Sequence, residues 1–245
     1  MMNMVSLDDE TIQQNEEALL LAMAPLDDVF AAFVESCQSR EKCRDSLAGP
    51  SWMTLEAQDR YAQLVQSNWT EFGPGDRYMR RIIRYYMIRM DEQGIAAESD
   101  DLLALVLRAS LKGDPVPDPM EACYLSFRVP RLASETRHDE PLLRIRIYPH
   151  HNDVALRLWE AGACLAEFFL QYPKYVAGKR VIELGAGVGL TGLIIAGRCA
   201  ASDVYLTDYT PICRSNLEHN IQINRSWLDS EMRQPQISQV RCLVR

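Results

Sequence analysis

Between residues 8 and 112 the apolar residues recur at the spacing of amphipathic helices. One such stripe consists of Leu102, Leu105, Val106 and Ala109. Ser99 and Asp100 precede this stripe and predict the N-cap of its helix. The turn residues Ala48–Pro50 and Gly73–Gly75 separate further helices. The pattern therefore predicts an all-helical N-terminal domain over residues 1–115.

The pattern changes at the proline-rich segment 114–119, which cannot continue a helix. Two strand-like runs follow, and after them helices and strands alternate. The expected strands are Cys123–Val129, Leu142–Tyr148, Val181–Leu184, Asp203–Thr207 and Ile237–Leu243, and the expected helices between the last three are Leu190–Cys199 and Pro211–Asn224. Such alternation is typical of a parallel sheet with crossover helices. We predict an α/β domain over residues 116–245.

Three alternating glycines join the strand Val181–Leu184 to the helix that begins near Leu190. Gly185 and Gly187 let the backbone pass close to a ligand, because a Cβ atom would forbid the dihedrals that such a loop needs. The start of the helix offers free N–H groups and the positive end of its dipole. Ligands of these sheets bind beyond the carboxyl ends of the strands. The loop therefore predicts a ligand site.

A dinucleotide site is an alternative interpretation of the same loop. Gly187, Gly189 and Gly192 match the pattern G-x-G-x-x-G. Against it, the first glycine of that pattern lies beyond the end of the strand, and the acidic Glu183 is left without a role. The alternative of an NAD-dependent oxidoreductase stays open, and it predicts that NAD raises the melting temperature.

Asp208 is the second candidate ligand residue. It follows the strand Asp203–Thr207, and a carboxylate at that point can accept hydrogen bonds from both ribose hydroxyls of a nucleoside. Thr210 and Pro211 already supply an N-cap and first residue for the next helix, so Asp208 is not needed as the cap. This favours the ribose role over local turn formation.

Charge and composition limit the classes of function. The net charge of -8 argues against a general nucleic-acid binder. We expect no signal peptide, no membrane span and, from scattered cysteines without a C-x-x-C pair, a cytoplasmic location. We expect four arginines on one helical face, namely Arg77, Arg80, Arg81 and Arg84. This face is either exposed to solvent or docks an acidic partner. His150 and His151 lack partners at ligand spacing, so no metal site is expected.

The second half of the chain resembles the family 16 methyltransferases, which are seven-strand S-adenosylmethionine (SAM) enzymes that modify protein lysines. Three stretches carry the resemblance over residues 150–228, namely Leu156–Gly162, Leu165–Phe168 and Val181–Gly192, and Asp208 and the helix with Asn216, Asn220 and Asn224 continue it. The helical segment that precedes it looks like the N-terminal extension of the elongation factor 2 lysine methyltransferase branch.

This resemblance implies a Rossmann-like methyltransferase sheet, SAM as the cofactor, and methyl transfer to a lysine of elongation factor 2. It implies that Trp159 packs near the cofactor, that Gly185, Ala186 and Gly187 line it, that Glu183 lies near its methionine end and that Asp208 holds its ribose. On periodicity alone, Trp159 would be a packing residue. The resemblance assigns no catalytic base.

Two departures from the family pattern separate this chain from an ordinary member. The threonine–glycine run that often precedes the tryptophan is replaced by His150–Ala155. The third strand is followed directly by Val244 and Arg245 instead of an Asp-Trp pair. We therefore expect a C-terminally truncated sheet with an exposed edge, low stability and little catalysis. The alternative function is a non-catalytic remnant that acts as a protein-binding module.

Overall fold

The computed structural model describes residues 17, 20, 22–41, 50–111, 116–129, 142–229 and 239–242. The chain divides into two compact units, Met1–Val116 and Pro117–Arg245, and the division falls within the proline-rich segment. In the part of the chain that is described, no helix has the length and apolar character needed to cross a membrane.

The described elements of the N-terminal unit are helices. They are α1 (Leu26–Glu41), α2 (Leu55–Asn68), α3 (Asp76–Glu92) and α4 (Asp100–Ser110). Their apolar faces meet in a core rich in aromatic rings, where Tyr61 and Tyr86 stack with centroids 3.9 Å apart. The Tyr61 hydroxyl donates to the Ile82 carbonyl at 2.7 Å, and the Tyr86 hydroxyl donates to the Trp52 carbonyl at 2.8 Å. The buried phenols are therefore satisfied, as buried polar groups must be.

The predicted N-cap of α4 is confirmed, and the predicted arginine face of α3 is wrong at one position. The Ser99 hydroxyl accepts a hydrogen bond from Leu102 N at 3.0 Å. Arg77, Arg81 and Arg84 are exposed, whereas Arg80 is only 6% exposed and lies 3.6 Å from the Asp76 carboxylate. Arg80 falls on the inward side of α3 because Met79 and Ile83, its neighbours on the helix, are core residues.

The C-terminal unit contains a two-stranded antiparallel hairpin and a three-stranded parallel sheet. The hairpin pairs β1 (Cys123–Phe127) with β2 (Leu143–Ile147). The parallel sheet has the order β3-β4-β5, with β3 at Arg180–Leu184, β4 at Asp203–Thr207 and β5 at Gln239–Cys242. The helices are α5 (Glu160–Gln171), α6 (Leu190–Arg198), α7 (Pro211–Ile223) and α8 (Arg225–Asp229). The prediction of a parallel sheet with connecting helices is confirmed for these strands.

An asparagine ladder on α7 docks the hairpin. Asn216, Asn220 and Asn224 are four residues apart, so they lie on one face of the helix, and each is about 1% exposed. Asn224 accepts from Arg144 N at 2.8 Å and donates to Arg144 O at 2.6 Å. Asn220 makes the same pair of bonds with Arg146, at 2.9 and 3.3 Å. The side chains of the ladder thus take the place of a further strand at the free edge of β2.

The two faces of β3 differ in exposure. Alternate side chains of a strand point to opposite faces. Glu183 points towards α6, whereas Ile182 and Leu184 point the other way and are 57% and 78% exposed. The neighbouring strand β4 buries Val204 and Leu206 completely. Among the described residues, α6 and α7 therefore pack on the face that bears Leu206, which is the face beneath the glycine loop.

Candidate nucleoside-cofactor site

The glycine loop lies at the carboxyl end of β3 and is held by the end of β4. Gly185, Gly187 and Gly189 have φ values of 69°, 54° and 86°, which only glycine adopts readily. Ala186 N donates to the Thr207 carbonyl at 2.8 Å, and Gly189 N donates back to the Ala186 carbonyl at 2.8 Å. These two hydrogen bonds connect the loop to the end of β4 and close its turn before α6.

The glycines of this segment have different surroundings. No atom lies within 4 Å of the position that a Cβ atom of Gly185 would take, so this glycine faces open space. A Cβ atom on Gly189 would lie 2.7 Å from Leu217 Cδ2, and one on Gly192 would lie 2.1 Å from Leu206 Cδ2. Gly189 therefore allows close packing against α7, and Gly192 allows close packing against β4. The open glycine is the one that directly follows the strand.

Asp208 follows β4 and lies beside the loop. Its Oδ2 accepts a hydrogen bond from Gly187 N at 2.9 Å, and its Oδ1 accepts from Tyr209 N at 2.7 Å. Each carboxylate oxygen can accept a second hydrogen bond. The prediction that Thr210 caps α7 is confirmed, because its hydroxyl accepts a hydrogen bond from Cys213 N at 3.3 Å.

Glu183 lies beneath the loop with its carboxylate turned towards the first turn of α6. Its Oε2 is buried and has no hydrogen-bond partner among the described residues. Burial raises the pKa of Glu183 from 4.5 to about 7, and the nearby Gly192 amide and Thr191 hydroxyl oppose that rise. A buried carboxylate oxygen without a hydrogen-bond partner is energetically costly, and carboxyl groups with a perturbed pKa are common at functional sites.

The raised pKa makes the stability of the folded unit depend on pH. An unfolded chain ionises Glu183 near pH 4.5, whereas the folded chain keeps it protonated up to about pH 7. The folded state therefore binds more protons in that interval, and the contribution of Glu183 to stability falls as pH rises from about 4.5 to about 7.

We expect Glu183→Gln to remove this loss. From pH 5 to pH 8, the free energy of unfolding of the variant should rise relative to that of wild type by on the order of 2 kcal/mol. Urea unfolding at both pH values measures this change. Glu160→Gln, which changes an exposed carboxyl at the start of α5, is the control for the loss of one carboxyl. A difference between Glu183→Gln and wild type that does not change with pH would contradict the raised pKa of Glu183.

Trp159 precedes α5 at the end of a loop that runs over residues 148–159. Its indole N–H donates to the Val154 carbonyl at 2.8 Å, and the side chain is 56% exposed. The loop approaches the glycine segment, because a Cβ atom on Gly187 would lie 3.2 Å from the Ala155 carbonyl oxygen. The structure thus brings Gly185, Ala186, Gly187 and Asp208 to one edge of the sheet, with Glu183 beneath them. The loop that bears Trp159 contacts this edge through Ala155.

Asp153 is a residue of this region that the sequence pattern did not single out. It accepts hydrogen bonds from Ala155 N and Thr210 Oγ1, both at 3.1 Å. No spacing rule reveals this contact, since Asp153 and Thr210 are 57 positions apart. His151, one of the two adjacent histidines, accepts a hydrogen bond from Asp153 N at 2.9 Å. Within the described ranges, no group of three or more His, Cys, Asp or Glu side chains is arranged to hold a metal ion.

Comparison with known proteins agrees with the resemblance in the sequence. Residues 137–238 match the family model described as lysine methyltransferase. The match covers β2, the loop 148–159, the glycine loop, Asp208 and the asparagine ladder.

Several curated proteins are similar to this chain. The protein-lysine N-methyltransferase EFM3 of Chaetomium thermophilum is 28% identical over 188 residues, which is 71% of this chain and 54% of that protein. The protein-lysine N-methyltransferase EEF2KMT of Bos taurus is 27% identical over 151 residues, 62% of this chain and 41% of that protein. The calmodulin-lysine N-methyltransferase of Arabidopsis thaliana is 42% identical over 66 residues, 27% of this chain and 22% of that protein.

The chain therefore spans about half the length, or less, of these relatives. They differ in the substrates that their names give, but all are named as lysine methyltransferases. By its segment 137–238 and by these relatives, the chain is related to the lysine methyltransferase family.

Proposed function

We propose that the C-terminal unit binds SAM and that the protein methylates a lysine side chain of another protein. The observation that carries this proposal is the open glycine loop at the end of β3, with the Asp208 carboxylate hydrogen-bonded to its Gly187 amide. This arrangement places the accessible backbone of the loop beside the two carboxylate oxygens of Asp208, which suits an adenosyl group and its ribose.

The residues present fit the cofactor on two counts. The space beside Gly185 is open, so a ligand can approach the backbone of the loop there. The buried Oε2 of Glu183 lacks a partner, and a cationic amino group of a ligand would offset the burial that raises its pKa. In this proposal Gly185, Ala186 and Gly187 line the cofactor, and Glu183 lies near its amino-acid end.

The remaining roles fall to Asp208 and Trp159. Asp208 uses the second acceptor site of each carboxylate oxygen for the two ribose hydroxyls. The exposed face of the Trp159 indole packs against the cofactor, and its N–H stays bonded to Val154.

When bound, SAM supplies a methyl group on a positively charged sulfur that an uncharged amine can attack. The protein's part is to align that amine and to exclude water, which favours the neutral form of the lysine. We assign no catalytic base.

The proposed substrate is elongation factor 2. Support comes from the similarity to EEF2KMT and from the helical N-terminal unit, which resembles the extension of that branch. A cytoplasmic location is consistent with such a substrate.

Asp208→Ala should weaken binding of S-adenosylhomocysteine about 10- to 100-fold, because the ribose loses hydrogen bonds to a charged acceptor. Titration calorimetry of the 245-residue chain measures the effect. The matched control is Asp203→Ala, which removes a half-buried carboxylate at the opposite, amino end of β4. Equal affinity of Asp208→Ala and wild type would contradict the ribose role.

A further inference from the structure

The loop 148–159 is closed on itself by hydrogen bonds of its own. Tyr148 N donates to the Leu156 carbonyl at 2.9 Å, and the Arg157 guanidinium donates to the His151 carbonyl at 3.0 Å. Residues Val154–Leu156 form a single 3-10 turn. With the Trp159 indole bonded to Val154, the loop is a preformed unit rather than an extended connection.

Asp153 connects this loop to the start of α7. Besides the Ala155 amide and the Thr210 hydroxyl, its carboxylate faces the Cys213 thiol, whose sulfur lies 3.5 Å from Oδ2. Thr210 caps α7, so the carboxylate lies at the positive end of that helix dipole. The Ala155 amide is the main cause of a lowered pKa at Asp153, and the Thr210 and Cys213 groups add to it against the effect of burial.

The position of Asp153 matters because the two segments that its carboxylate connects both adjoin the proposed cofactor site. On the loop side, the Ala155 carbonyl lies against Gly187, and Trp159 follows four residues later. On the helix side, Thr210 stands two residues after Asp208. The Asp153 carboxylate therefore holds the loop that bears Trp159 next to the segment that bears Asp208.

We propose that Asp153 is a positioning residue that latches the loop 148–159 to the first turn of α7 and thereby sets the affinity for the nucleoside cofactor. The inference rests on the proposed function and adds to it a residue that does not touch the cofactor. Release of the latch lets the loop move away from Gly187, and the cofactor then has to order that loop when it binds, which costs binding free energy.

The test compares the affinity for S-adenosylhomocysteine among variants of the whole chain. Asp153→Ala should raise the dissociation constant about 10-fold, the effect of about 1.4 kcal/mol. Asp153→Asn should stay close to wild type, because its amide oxygen still accepts from Ala155 N and its NH₂ group can donate to Thr210 Oγ1. Asn152→Ala changes the exposed neighbour in the same loop and should bind as wild type does.

A double-mutant cycle separates a latch from general loss of stability. If the Asp153–Thr210 contact is the cause, Asp153→Ala combined with Thr210→Val weakens binding less than the two single effects added together. Strictly additive effects, or an unchanged dissociation constant in Asp153→Ala, would overturn the latch while leaving SAM binding by the wild type intact. Absence of binding by the wild-type chain would instead overturn the proposed function, and the latch with it.

Discussion

Gly197→Ala is expected to destabilise the C-terminal unit by about 3 kcal/mol, the upper end of the usual cost of overpacking a core. A Cβ atom on Gly197 would lie 2.3 Å from Cζ3 and 2.6 Å from Cη2 of the Trp227 indole. The indole is 1% exposed, and the Arg198 guanidinium covers its face at 4.3 Å from the centroid. A rigid, covered ring has no room to yield, so α6 and α8 have to separate.

Gly162→Ala is the matched control for that substitution. Gly162 also lies in a helix, but the nearest atom to its added Cβ would be Thr191 Oγ1 at 3.7 Å, which is an ordinary contact. We expect a change within about 1 kcal/mol, in the stabilising direction, because alanine has the higher helix propensity. Urea unfolding followed by far-ultraviolet circular dichroism measures both variants. Equal midpoints for the two would contradict the tight packing of Trp227 against α6.

Asn220→Ala is expected to cost about 3 kcal/mol, because it removes the side-chain partner of the Arg146 amide and of the Val188 carbonyl. Asn220 accepts from Arg146 N and donates to the carbonyls of Arg146 and Val188, the last at 2.9 Å. It is the one described side chain of the ladder that bonds both to β2 and to Val188 in the glycine segment. Its removal should therefore loosen the hairpin and the loop together.

The control for this substitution lies on the same helix. Gln222 is exposed, and Gln222→Ala should change the free energy of unfolding by less than about 0.5 kcal/mol. Amide hydrogen exchange reports where each change acts. In Asn220→Ala the amides of Arg146 and the glycine loop should exchange faster, whereas protection of β4 should change only through global unfolding. Unchanged exchange at Arg146 would contradict the role of the ladder.

The sequence predicted the glycine loop and its neighbours well because local rules govern them. A strand, three alternating glycines and a helix start within eleven residues leave few conformations, and the observed φ values follow. The strand Asp203–Thr207 was predicted with its observed bounds, and Asp208 therefore lay where the end of a parallel strand must place it.

Features that depend on partners distant in sequence could not be predicted in the same way. The i, i+4 spacing put Asn216, Asn220 and Asn224 on one helical face, but Asn224 bonds to Arg144, 80 positions away. Asp153 bonds to Thr210, 57 positions away, and no local pattern predicts that contact either. Arg80 was placed with the exposed arginines because residue type suggested a solvated face, whereas the packing around Met79 and Ile83 turned it inward.

The central claim is that the glycine loop and Asp208 form a site for SAM and not for a dinucleotide. The most direct measurement is the melting temperature of the 245-residue chain with increasing S-adenosylhomocysteine and, separately, with increasing NAD. A ligand at about 100 times its dissociation constant stabilises the folded state by about 2.7 kcal/mol. We predict that the melting temperature rises with S-adenosylhomocysteine, in proportion to the logarithm of its concentration above the dissociation constant, and that it does not rise with NAD. A melting temperature that rises with NAD, or that neither ligand raises, would contradict the account.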